Sequence, residues 1–319
     1  MPDNPDNSGN GLKVGVNLSD VADTAKHAKM SEDFGFDFVG AGEHVMRNDP
    51  TGPTQLALSA LAVAAGATER VSLLSSIVIA PLHHPVMLAK EAAVVDLASG
   101  GRLILGIGVA GEFPAEFEAM DVPVNQRGTR TDEAIEVARA MWAGPDASHH
   151  GQRFNFDGFT MSPPTHSHGG PPIWVGGRGE PAMERATRAG DGWLPYLFTP
   201  SQYARGAGNV REMLEKQGRG DEADFGYGLH LMTALGSTHE EAVSTAAKGL
   251  SAAYRYSGSY EDLAERYVLL GPPEESAARI NKFVEAGARH ILLSWVTPFD
   301  QIGDQIAMAG EGLLPLLRS

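Results

Sequence analysis

The sequence predicts an α/β fold: a (β/α)₈ TIM-like barrel in one domain, with insertions after its fourth and seventh strands. Three observations carry this expectation. Short β-rich runs alternate with helical runs along the chain. Eight such strands can be placed. The third, Val71 to Ile79, is apolar almost throughout, as expected where both faces of a parallel sheet are covered. An open doubly wound sheet is the rival, but it usually has fewer strands and a switch point.

The elements follow in order. Leu12 to Leu18 reads as the first strand. Asp20 to Phe34 reads as a helix that stops at Gly35. Phe36 to Ala41 is the second strand, and Thr54 to Thr68 an Ala/Leu helix. Val71 to Ile79 is the third strand. Pro85 opens the next helix at a position where its missing N–H costs nothing, and that helix runs to Ala98. Arg102 to Val109 is the fourth strand, followed by a helix from Thr129 to Trp142. An insertion covers about 144–171 and contains an expected hairpin, Phe154 to Met161, turning at Asp157-Gly158. Ile173 to Gly176 is strand five, with a helix from Pro181. Gly192 to Pro195 is strand six, with a helix from Ser201. Phe225 to Leu235 is strand seven, with a helix from Thr238 to Tyr254. An irregular excursion spans about 255–272. A helix from Pro273 to Ala286, strand eight from His290 to Trp295 and a last helix over about 300–317 complete the series. Residues 1–11, rich in Asp, Asn, Pro and Gly, are expected to form a disordered tail ahead of a domain spanning 12–319.

Composition narrows the function. The chain of 319 residues has no cysteine, which excludes disulfides, thiolate catalysis and cysteine-ligated metals. Its formal net charge is -15, without a Lys/Arg block. Nucleic acid and anionic membranes are therefore not expected partners. No apolar run approaches the ~18 residues of a membrane span. The start carries no export signal, so a cytoplasmic protein is expected.

Barrel active sites lie at the C-terminal ends of the strands. The polar residues expected there are Asn17, Glu43, His44, Ser75 and Ser76, then Gly108, Gly111 and Glu112, then Gly176 to Gly179, with Trp193 and Trp295 at the last strands. Gly106 to Gly111 matches GxGxxG, but no acidic residue ends a strand about 20 residues on, as a dinucleotide fold requires. The pattern is either a glycine floor that a flat ring approaches or tight turn geometry. Gly176, Gly177, Arg178 and Gly179 precede a helix. Free amides, a positive helix end and a guanidinium make a phosphate site. The alternative is a glycine-rich turn with an exposed arginine. His44 either exchanges protons near neutral pH or hydrogen-bonds a loop. Glu112 is either an acid/base at the mouth or the N-terminal charge of the next helix. His83-His84, His149-His150 and His166-x-His168 lack the spacing of a metal site, and no metal is expected. No Gly-x-Ser-x-Gly elbow is present.

Several stretches taken together resemble the bacterial-luciferase-like family of flavin and deazaflavin oxidoreductases. They are Phe36 to His44, Ile79 to Pro85 with Ala89-Lys90-Glu91, Ser99 to Gly108, Arg127-Gly128-x-Arg130-x-Asp132-Glu133-Ala134, Pro171 to Gly177, and Ala189 to Trp193. The similarity covers about residues 12–317. It implies a TIM-like barrel, usually dimeric, that holds FMN or the deazaflavin coenzyme F420. In the deazaflavin branch strand three carries a bulge with a non-prolyl cis peptide behind the ring, and Ser76-Ile77 falls at that position. The resemblance implies that Glu43, Ser76, Ile77, Gly108, Gly111, Gly176, Gly177, Arg178 and Gly179 contact cofactor. It implies that His44 and Glu112 move protons while hydride passes to or from the ring. The luciferases place an arginine in the turn after strand four, where this chain has Val109. The acidic tail of F420 would need a basic lip, for which Arg178 with Arg47 or Arg127 are the candidates.

The leading expectation is an F420-dependent oxidoreductase acting on a small organic substrate. Asn17, Met46, Trp193, His230 and Trp295 would line the substrate pocket. The alternatives are an FMN-dependent monooxygenase supplied by a separate reductase and a flavin-binding protein without turnover. A homodimer is expected from the resemblance.

Overall fold

Alternation along each strand sorts its side chains into an inner and an outer set, and the barrel follows from that sorting. In the computed structural model, which describes residues 11–46, 54–220, 224–253 and 256–318, the chain begins with β1 (Lys13–Asn17), α1 (Thr24–Phe34), β2 (Phe38–Ala41), α2 (Ala57–Ala67), β3 (Ser72–Ser75) and β4 (Val78–Ile79). It continues with α3 (Pro85–Ala98), β5 (Leu103–Gly108), α4 (Pro114–Ala119), α5 (Arg127–Trp142) and a hairpin of β6 (Ala147–His150) and β7 (Asn155–Phe159). Then come β8 (Ile173–Gly176), α6 (Glu180–Ala189), β9 (Gly192–Leu194), α7 (Pro200–Lys216), β10 (Gly226–Leu235), α8 (His239–Ala253), α9 (Tyr260–Tyr267), β11 (Leu269–Gly271), α10 (Pro273–Glu285), β12 (His290–Trp295), α11 (Ile302–Met308) and α12 (Leu314–Arg318).

Parallel pairing runs β1–β2–β3–β5–β8–β9–β10–β12 and returns to β1 through Lys13 opposite His290, so the barrel closes. The fold is the predicted TIM-like (β/α)₈ barrel. β3 and β4 together make its third strand. Leu74 pairs with Ile104 and Val78 with Ile107, so four residues of one strand span three of the other. That extra residue is a bulge, and the Ser76–Ile77 peptide within it is cis.

Two apolar clusters show the sorting. Phe38, Leu74, Trp174, Leu194 and Leu292 fill the barrel interior. Val14, Val16, Val39, Leu73, Leu105, Ile107, Val175, Leu231, Ile291 and Leu293 pack outward beneath the helices. The Trp174 ring occupies the volume that side chains at Gly192 and Gly228 would need. Those glycines let one large residue plug the lower barrel.

Several expected boundaries differ. Gly35 ends α1 as expected, with φ +87, but α1 starts at Thr24 and α2 only at Ala57. The hairpin turns at Gly151–Phe154, where the Gly151 amide donates to the Phe154 carbonyl at 3.0 Å, not at Asp157-Gly158. Those two residues lie inside β7, where the register shifts between Ala147 and His149. Gly158 takes φ +64 at this irregularity. A glycine suited to a turn is equally suited to a bulge. The 255–272 stretch is not irregular: α9 packs on α8, and β11 pairs with the end of β10. The last helix is broken by a π-turn at Ala309–Leu313. α4 was absent from the sequence reading. The expected N-terminal tail falls, apart from Gly11, outside the described residues. None of the described helices is long and apolar enough to cross a membrane.

Candidate active site at the C-terminal mouth of the barrel

The bulge sets the floor of the mouth. A methyl group at Gly108 would stand 2.6 Å from Ile77 Cδ1, and one at Gly176 would stand 2.7 Å from Ile77 Cγ2. Ile77 therefore lies between the ends of β5 and β8, in space those glycines vacate, and it stays partly exposed. This revises the glycine-floor expectation: the floor is the Ile77 side chain. Gly106 is required because a side chain there would overlap the Ser75 carbonyl oxygen.

Beside Ile77, Ser76 Oγ donates to Asn17 Oδ1 at 3.1 Å, and Asn17 Nδ2 donates to Ser19 Oγ at 3.2 Å and to Ser294 Oγ at 3.5 Å. Asn17 and Ser76 are buried. Ser75 instead donates to the Gly106 carbonyl at 2.8 Å and braces the strands.

The two acidic candidates and His44 separate into different tasks. Glu43 is buried. It accepts from the Ile79 amide at 3.0 Å and the Ala57 amide at 3.3 Å, and it pairs with His83 Nε2 at 2.7 Å. It thus ties the bulged strand to the start of α2. Burial works against a charge on His83, but the hydrogen bond to Glu43 and the charges of Glu43 and Glu91 outweigh it, so the ring's pKa lies above the ordinary value. His44 Nδ1 bonds Glu116 Oε1 at 2.8 Å, and its ring meets Phe113 edge-on. Glu116 is 1% exposed, and its other oxygen accepts from the Val45 amide at 2.7 Å. His44 Nε2 is the ring nitrogen not committed to Glu116. Phe117, next to Glu116 on α4, packs with Ile79 and Leu82 beside Ile77 and Ala110. Glu116 was missed because α4 was missed, although Pro114 is a helix-opening signal.

Glu112 is exposed. Its Oε1 accepts from the Tyr196 hydroxyl at 2.6 Å. Arg178 lies over the Tyr196 ring, 4.8 Å from its centre. Gly177 has φ +140, and a side chain there would press on Ala182 at 2.6 Å. The Gly177 carbonyl is held by Trp193 Nε1 at 2.9 Å. Gly179 caps α6, but Pro181 has no N–H and the Ala182 amide already donates to the Gly179 carbonyl at 3.0 Å, so of the helix's first turn only the Glu180 amide is left. Gly111, at φ +120, lies against Arg127, whose Nε is buried and unpartnered. Arg47 lies outside the described residues.

The expected pocket is partly corrected. Trp193 is fully buried, stacks on Tyr203 and packs outward with the helical layer. The inward residue of β9 is Leu194. Trp295 belongs to the outward set with Ile291 and Leu293, so Ser294, in register with Leu292, faces the mouth instead. A period of two was available in both strands, but terminal position was weighed above it. Tyr196, two residues past Leu194, was missed for the same reason. His230 follows the inward Gly228 and bridges to Tyr196. Burial pushes its pKa down to about 4, so it is neutral at pH 7. Met46 is 40% exposed. Among the described residues no cluster of His, Asp and Glu could hold a metal ion.

A family model described as luciferase-like monooxygenase matches residues 5–307. The uncharacterised protein Rv0940c of Mycobacterium tuberculosis is 34% identical over 140 residues, which is 44% of this chain and 47% of that protein. The match thus spans about half the length of the first curated relatives. An FMNH(2)-dependent dimethylsulfone monooxygenase of Pseudomonas putida is 24% identical over 79% of this chain and 76% of its own. An F420-dependent glucose-6-phosphate dehydrogenase of Nocardia farcinica is 23% identical over 83% of this chain and 85% of its own. The crystal structure of monooxygenase RslO1 from Streptomyces bottropensis superposes with a TM-score of 0.80 at 26% identity, covering 95% of this chain and 99% of that one.

Proposed function

The chain belongs to the luciferase-like monooxygenase family, and from that premise we propose that it is an F420-dependent oxidoreductase acting on a small organic substrate at the barrel mouth. The observation that carries the reading is Ile77. It offers an apolar, partly exposed floor between Gly108 and Gly176, with the His44–Glu116 pair on one side and the glycine turn before α6 on the other.

The residues present fit a phosphorylated flat ring. The amides of 178–180 and the Arg178 guanidinium would hold the phosphate. Arg127, with its unpartnered buried Nε beside Gly111, is a second cation at the same rim. When bound, a deazaflavin supplies hydride donor or acceptor chemistry. The chain's own part is to exclude water, orient and move a proton. Glu116 holds the His44 ring through Nδ1 and fixes its orientation, so Nε2 would donate or accept the proton that balances the hydride. Glu112, held by Tyr196, would act from the other side of the mouth.

Val109, Ala110 and Gly111 put no cation in the turn after β5, which favours F420 over FMN. A second reading, an FMN-dependent monooxygenase fed by a separate reductase, is supported by the likeness to RslO1 and the dimethylsulfone enzyme. A cytoplasmic homodimer remains part of the proposal in either case.

Fluorescence titration with F420 and with FMN separates the two. Saturable binding of F420 with much weaker FMN binding supports the deazaflavin enzyme. The reverse preference selects the monooxygenase, and binding of neither removes the cofactor assignment. In the ligand that binds, Arg178→Ala is expected to cost about 1.5–3 kcal/mol of affinity; unchanged affinity would move the phosphate elsewhere.

A further inference from the structure

We propose that Tyr196 is a positioning residue that keeps Arg178 available for the cofactor phosphate by holding it apart from Glu112; the proposal rests on the phosphate reading of the Gly176–Gly179 turn. Tyr196 follows β9 in the inward register of Leu194 and bridges to His230 of β10. It stands where the loops after β5, β8 and β9 meet. Its two polar faces hold opposite charges. The hydroxyl donates to Glu112 Oε1 at 2.6 Å, the short distance of a bond to an ionised acceptor. The negative face of the ring lies under the Arg178 guanidinium, 4.8 Å from its centre.

One aromatic ring therefore separates an exposed carboxylate from an exposed guanidinium on neighbouring loops. Both are long, rotatable side chains in contact with the same residue. Without the ring, the two charges would pair with each other. Arg178 would then have to leave Glu112 before meeting a phosphate, and that exchange lowers affinity. With the ring, the cation is seated beside the α6 N-terminus and the acid is turned toward the mouth. Position alone suits a specificity role too: a ligand lacking phosphate draws nothing from Arg178 and should not feel the change.

The test uses the full chain with two ligand pairs: FMN against riboflavin, and F420 against its phosphate-free chromophore. Tyr196→Ala is expected to weaken the phosphorylated ligand about three- to tenfold and to leave the phosphate-free one within about twofold. Tyr196→Phe keeps the ring under Arg178 but frees Glu112, so its loss should be smaller than that of Tyr196→Ala. Tyr196→Ala combined with Glu112→Gln should recover most of the loss, because the competing charge is gone. An equal loss for both members of a pair, or no recovery in the double variant, overturns the proposal. Hydrogen exchange of the cofactor-free protein gives a second readout. Tyr196→Ala should speed exchange at 109–113 and 177–180, and unchanged exchange at both also overturns it. Should the wild type bind neither cofactor, the cofactor reading fails by itself, while exchange still decides whether Tyr196 ties these loops.

Discussion

His44 gives one ring nitrogen to Glu116, which leaves Nε2 for the proton transfer proposed. His44→Ala is expected to lower turnover on the order of 10²-fold with cofactor Kd nearly unchanged, as for loss of a general acid or base. Glu116→Gln keeps the shape and removes the charge, so turnover should fall about tenfold or more while ligand affinity holds. Steady-state kinetics beside ligand titration checks both; unchanged turnover in either variant removes that residue from the mechanism. His44 was legible from its place after a strand. Glu116 was not, since it reaches His44 from 72 positions away through a short helix with few turns to show a period. Glu43 illustrates the opposite limit. Its place after β2 is that of a site residue, but its oxygens are used by Ile79, Ala57 and His83.

At the scale of elements, the bulged third strand is the feature on which the mouth depends. Gly108→Ala meets the flexible arm of Ile77, Cδ1 at 2.6 Å and Cγ1 at 3.2 Å, whereas Gly176→Ala meets Cγ2 at 2.7 Å, next to the backbone. Overpacking of this kind costs about 1–3 kcal/mol, and Gly176→Ala should lie at the upper end. Adding Ile77→Val, which deletes Cδ1, should restore the thermal midpoint of Gly108→Ala. Gly176→Ala should need Ile77→Ala. Relief of both by Ile77→Val would contradict the packing. The Glu43–His83 pair behind the bulge adds a pH signature. The folded His83 pKa is raised. Its contribution is therefore fully present below the unfolded value, near 6.5, and is lost as pH rises through the folded value. The difference in thermal midpoint between wild type and His83→Gln should shrink across that window; a constant difference would show that protonation is not involved. Strands and most helices were readable from alternation and from Pro and Gly signals. The hairpin turn was not, because Gly158 satisfies a bulge as well as a turn.

Over the whole molecule, eight β-then-α units were enough to predict a closed barrel, because parallel strands with covering helices have few other ways to bury both faces. Closure then decides what no single strand reveals. It fills the lower interior with Trp174, Leu194 and Leu292 and leaves chemistry to the rim. It also turns Trp193 and Trp295 outward, so two large aromatic residues that read as pocket walls support the helical layer instead. The substrate was not legible, since it is set by side chains that several separate loops bring to the rim. The location of the ring is tested by a crystal structure of the protein soaked with whichever cofactor the titration selects. The ring should lie against Ile77, with its phosphate at the amides of 178–180 and His44 Nε2 facing its edge. A ring found elsewhere, for instance in the groove lined by His84, Phe154 and Phe156, would contradict it.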